Sequence, residues 1–120
     1  MQKDKRYDLE ERTLMFATTV RAFVKALPRS VSNQEDARQV VRASGSVGAN
    51  YIEANEALSK KDFLMRVKIC RKEAKESRYW LRLIDVGDEA KLEKNREGLA
   101  REATELMNIF GSIIRKSEES

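Results

Sequence analysis

Apolar residues return every three to four positions along nearly the whole 120-residue chain, and no stretch of strand length alternates apolar with polar. A chain patterned this way folds as helices packed on helices, because each apolar stripe must be buried against another element. The first segment carries Leu9, Thr13, Phe16, Val20, Phe23, Val24 and Leu27 on one face ahead of the only proline, Pro28, which predicts a helix over residues 8–26. The run "SNQE" reads as a capping box in which Ser32 accepts from the Glu35 backbone N–H, and it opens a second helix over 33–57. In "LSKKDF", Ser59 and Asp62 form a capping pair while Leu58 and Phe63 occupy the staple positions, so a third helix spans 60–84. Beyond "DVGDE", where Gly87 supplies a left-handed turn, Leu92, Leu99, Ala103, Leu106, Phe110 and Ile114 mark a fourth helix over 89–115. Its charged first half is expected to pack less firmly, and the tail "RKSEES" to fray. Helices of similar length with short connections predict one all-α domain over residues 1–120, an antiparallel up-down-up-down four-helix bundle.

Several function classes are disfavoured by what the chain lacks. It contains no histidine, which removes the commonest general base, every Ser-His or Cys-His nucleophile and most zinc sites. The single cysteine, Cys70, has no partner for a disulfide and falls on the inward face of the third helix, where it acts as a small core residue. Glu53 and Glu56, like Glu73 and Glu76, stand three apart, but carboxylate metal sites in bundles use Glu-x-x-His motifs. No catalytic residues, metal or cofactor are therefore expected, and the chain reads as a non-enzyme. The first residues lack the apolar core of a signal peptide, and no apolar run approaches the ~20 residues needed to span a bilayer. A cytoplasmic, reducing location without membrane contact is the expectation.

The stretch "ASGSVGANYIEANEA", residues 43–57, places Gly45 and Gly48 in mid-helix. A phosphate loop would need Gly-Lys-Ser/Thr after a strand, and neither is present. Two helical glycines cost about 1 kcal/mol each relative to alanine, so they point to a neighbouring backbone that approaches closely, the alternative being a kink or a locally weak helix. Asn50, Glu53 and Asn55 lie just beyond and are read as a polar clasp fixing helix register, with Arg, Glu or Ser77 of the third helix as partners.

Helix three has two further faces. Lys68, Arg71, Lys75, Arg78 and Arg82 are spaced three, four, three and four, which sets all five within roughly 80° of arc. From Ser59 to Ile84 there are nine Lys or Arg against three Asp or Glu, a local +6 in a chain of net +4. Such a row can follow a phosphate backbone; equally, it can be a solvated face whose cations meet acids elsewhere. Met65, Ile69, Trp80 and Leu83 form a second apolar stripe, read as a self-association surface with Trp80 as anchor, or with Trp80 covering the bundle end. Leu14, Met15 and Ala22 also fall off the main face of helix one, which favours self-association.

The segment "RASGSVGANYIEANEALSKKDFLMRVKICRKEAKESRYWLRLI" resembles the four-helix bundle protein family encoded by intervening sequences of bacterial 23S ribosomal RNA genes, also labelled S23 ribosomal proteins. Arg42, Ala43, Ser46, Val47, Ala49, Asn50, Ile52, Glu53, Ala54, Ser59, Lys60, Lys61, Asp62 and Phe63 stand at the places of the family's core motif. Gly48 stands where many members have proline, and Asn55 where many have glycine. The resemblance implies a homo-oligomer, commonly a pentameric ring, and an association with RNA suggested by genomic position. Two readings follow. One is a non-enzymatic oligomeric bundle contacting RNA or another nucleic acid through the basic row; the other is a structural or adaptor bundle that binds a protein partner, without nucleic-acid contact.

Overall fold

The computed structural model describes residues 5–120, with side chains described from Asp8 onward. Met1 to Asp4, where the expected domain and the amino-terminal reading begin, lie outside the described residues. Four helices follow one another: α1 Lys5–Lys25, α2 Val31–Asn55, α3 Lys60–Leu83 and α4 Ala90–Glu119. Successive helices pack side by side and α4 returns to α1, giving the all-α up-down bundle. None of the helices among the described residues is long and apolar enough to cross a membrane.

The four helices do not pack equally. α2 and α3 are the most intimate pair, and the reason is side-chain size: Ala43, Ser44 and Val47 on α2 and Cys70, Ala74 and Ser77 on α3 are all buried. The Ser44 and Ser77 hydroxyls stay satisfied in this dry seam by donating to Val41 O (3.2 Å) and Glu73 O (2.8 Å) of their own helices. Larger side chains fill the centre, where Tyr51 meets Phe110 with ring centroids 5.9 Å apart, and Phe16, Val20 and Leu106 close the core. α1 leans chiefly on α2 and only lightly on α4. Between α1 and the first half of α4 this leaves a groove of about 720 Å³, floored by Phe16, Phe23, Leu92 and Leu99.

Three boundary expectations are corrected. α2 begins at Val31, and its cap is Ser30, whose hydroxyl accepts from the Asn33 backbone N–H at 3.1 Å; Ser32 caps nothing. The reason is tertiary. The buried Asn33 amide donates to Pro28 O (2.9 Å) and Asp85 O (2.8 Å) and accepts from Asp85 N–H (3.0 Å), knitting the α1–α2 loop to the α3–α4 loop. That bond set holds Asn33 inside the first turn, which moves the cap two residues back. Ser59 caps α3 as expected, accepting from Asp62 N–H at 3.1 Å, but Leu58 is 98% exposed, so no staple forms with Phe63. Finally, the tail is helical to Glu119, held against α3 by Lys60 donating to Ser120 O and by the Lys68–Glu118 ion pair at 3.5 Å.

Candidate nucleic-acid interface

α3 is a continuous helix from Lys60 to Leu83, so the three-four-three-four spacing is realised as a physical row about 21 Å long at 1.5 Å per residue. Lys68, Arg71, Lys75 and Arg82 are exposed and Arg78 is half-buried. Lys68 reaches Glu118, and Arg78 Nη1 donates to Thr104 Oγ1 at 3.1 Å. Arg71, Lys75 and Arg82 make no ion pair or hydrogen bond with any described residue. Of the acids expected as alternative partners, Glu53, Glu56 and those of helix four, the two on α2 are exposed and meet none of the row, whereas α4 supplies Glu118 to Lys68.

One contributor escaped the sequence reading. Antiparallel packing sets Arg78 beside Thr104 and Lys68 beside Glu118, which brings Arg115 of α4 level with the turn holding Lys68 and Arg71. The Arg115 guanidinium lies over Gly111, where an added β-carbon would stand 3.4 Å from Nη1. It therefore rests on the α3-facing flank of α4 and continues the basic surface across the helix boundary.

The second apolar stripe is divided. Met65 and Leu83 are each 49% exposed, Ile69 is half-buried, and Trp80 packs against the core with its indole N–H buried and without a hydrogen-bond partner among the described residues. Tyr79, largely exposed, stands edge-on to Trp80 at 5.1 Å. Met65 and Ile69 join Leu64, Lys61, Lys68 and Lys72 around a shallow hollow near the start of α3. Trp80 and Leu83 stand near its other end, and Lys72, Glu73 and Glu76 intervene.

The polar residues distribute as register locks across three of the helix pairs. Asn50 receives Arg66 Nη1 of α3 at 3.0 Å and donates to Ser46 O (2.9 Å) and Oγ (3.0 Å). Asn55 turns the other way, donating to Glu10 Oε2 of α1 at 2.9 Å, and Ser77 bonds only within α3. Glu53 stays exposed outside the clasp. Arg12 of α1 grips Glu102 of α4 through two bonds, Nε to Oε2 at 2.7 Å and Nη2 to Oε1 at 2.8 Å.

Gln39, Arg42, Lys72, Glu73 and Glu76 line a polar hollow between α2 and α3. Burial there, reinforced by Glu76, raises the Glu73 carboxyl above its ordinary range, while Lys72 and Arg42 pull it down. The Cys70 thiol is fully buried, and desolvation pushes it up to about 12. Among the described residues no group of three or more His, Cys, Asp or Glu could hold a metal ion.

Over residues 5–112 the sequence matches the family model described as 23S rRNA-intervening sequence protein. The structure is similar to that of a protein with unknown function from the S23 ribosomal protein family of Bacteroides thetaiotaomicron. The TM-score is 0.71 and the identity 31%, with 88% of this chain and 96% of that chain covered. No curated protein matches the chain.

Proposed function

The chain belongs to the 23S rRNA-intervening sequence protein family, and within that family we propose that it is a non-enzymatic, self-associating bundle that holds the phosphate backbone of structured RNA along the basic row of α3. The observation that carries this reading is the state of Arg71, Lys75 and Arg82, three exposed cations in line that pair with no carboxylate among the described residues. A merely solvated face would be expected to interleave acids with its bases, as α4 does with Glu93 and Arg96. Among the described residues the one acid paired with the row is Glu118, at a long 3.5 Å from Lys68. Arg115 adds a further cation from α4, giving a strip rather than a line. Self-association then repeats the strip in each copy, so that several modest contacts act on one nucleic acid together.

The test is equilibrium binding of a labelled RNA hairpin to the protein and to the Arg71→Glu, Lys75→Glu, Arg82→Glu variant. All three positions are exposed, so fold and assembly persist, and the reading expects affinity at about 50 mM salt to fall by on the order of a hundredfold or more. Equal binding by the two proteins overturns it.

A further inference from the structure

α3 carries an aromatic ring on the face where a surface helix ordinarily carries charge. Tyr79 is 58% exposed and lies nearly opposite the buried stripe of Val67, Cys70, Ala74, Ser77 and Leu81, so its ring points away from the other three helices. Its hydroxyl makes no hydrogen bond with any described residue. The ring is nonetheless braced, because Trp80 meets it edge-on with centroids 5.1 Å apart and planes at 77°, and Trp80 itself packs against the core. One exposed tyrosine is ordinary on a protein surface. A braced one has little freedom left to lose when something settles on it.

The charges around Tyr79 say what settles there. Lys72, Lys75 and Arg82 fall within about 60° of it on the helix, Lys75 about one turn before it and Arg82 just under one turn after. All three are exposed and form no ion pair with any described residue. The acid nearest in the sequence, Glu76, turns toward α2, where it lines the polar hollow with Gln39 and Arg42. The ring therefore stands among uncompensated cations, which favours a polyanion over an apolar protein segment as its cover. Cations hold phosphates without telling paired strands from unpaired ones, whereas an aromatic face takes only a base whose own face is free. We propose that Tyr79 stacks on an unpaired nucleobase while Lys75 and Arg82 hold the phosphates on either side of it, so that the RNA taken by this chain is one with a loop or bulge. The assignment rests on the phosphate-holding role of the basic row and adds to it the class of RNA.

Removing bases without removing phosphates tests this directly. Two hairpins share one stem; one has an all-adenosine loop, and the other has abasic nucleotides throughout the same loop. The parent is expected to bind the adenosine loop about tenfold more tightly, since stacking on an aromatic side chain supplies that order of affinity per base. Tyr79→Ala binds the two hairpins alike, with the salt slope of the parent, because the phosphate contacts remain. Tyr79→Trp keeps the preference, the ring being what matters and the hydroxyl not. The Arg71→Glu, Lys75→Glu, Arg82→Glu variant loses both hairpins. If the parent binds both equally while that triple variant binds neither, the stacking role is overturned and the basic row stands. If Tyr79→Ala retains the preference, or changes the size of the assembly on gel filtration, Tyr79 is not the stacking surface and the assignment falls. If the parent binds neither hairpin, the assignment falls together with the basic row.

Discussion

Gly48 of α2 lies so close to Thr13 of α1 that a β-carbon there would stand 2.8 Å from the Thr13 hydroxyl oxygen and 3.2 Å from its Cβ. Thr13 cannot retreat, since it is 1% exposed and its hydroxyl is held by Leu9 O at 2.8 Å and Glu10 O at 3.1 Å. The mid-helix glycine is thus the point at which α2 admits α1.

Glycine substitutions test this with opposite signs. Gly48→Ala is expected to lose about 1–2 kcal/mol, overpacking outweighing the helix-propensity gain of about 1 kcal/mol. At Gly98 on α4 an added β-carbon meets nothing within 4 Å, so Gly98→Ala gains about 0.5–1 kcal/mol. Urea unfolding of the two variants beside the parent reads both; two shifts of the same sign would contradict the packing argument.

Asn33 offers a sharper loss. Asn33→Ala leaves the Asp85 N–H without its acceptor and removes donors from Pro28 O and Asp85 O, for an expected cost of about 2–3 kcal/mol. Ser30→Ala is expected to cost about 1 kcal/mol as a lost cap, and Ser32→Ala next to nothing. Thermal unfolding of the three variants ranks them, and a Ser32 effect as large as that of Ser30 would restore the cap read from the sequence.

The Arg12–Glu102 pair spans the lightly packed α1–α4 side. With side-chain exposures of 38% and 26%, solvent screens it partly, so a double-mutant cycle between Arg12→Met and Glu102→Gln is expected to give a coupling of about 0.5–1 kcal/mol. Zero coupling would show that the groove is held by its apolar floor alone.

Cys70 links stability to alkaline pH. Its folded-state value, about 12, lies above the ordinary 9.0, so ionisation favours the unfolded chain. The thiol's contribution is complete below pH 9 and is lost as pH rises from 9 toward 12. The urea midpoint of the parent is expected to fall more steeply over that window than that of Cys70→Ala, and Cys70 to resist alkylation at neutral pH until the protein unfolds. Parallel pH profiles would contradict it.

Helical periodicity made the four helices legible, because each one's inward stripe is its own local pattern. What stayed hidden depends on residues distant in sequence. Ser30 and Ser32 both suit a cap, and the choice is made by Asp85, 52 residues beyond Asn33. Asn50 and Asn55 read as a clasp, but the partner of Asn55 proved to be Glu10, 45 residues earlier, and Glu53 stayed outside. The basic row was visible as spacing within one helix. Arg115 was not, since only the antiparallel register of α3 and α4 sets it beside Lys68 and Arg71.

The most direct measurement of the central claim is the salt dependence of RNA hairpin binding. If the five cations of α3 each neutralise a phosphate, log affinity falls linearly with log salt with a slope near −4.5 on a duplex stem, a loss of several hundredfold between about 50 and 200 mM. Replacing Arg71, Lys75 and Arg82 with glutamate flattens that slope by about 3 units or abolishes binding altogether. A slope near zero in the parent, or an unchanged slope in the variant, would contradict the account.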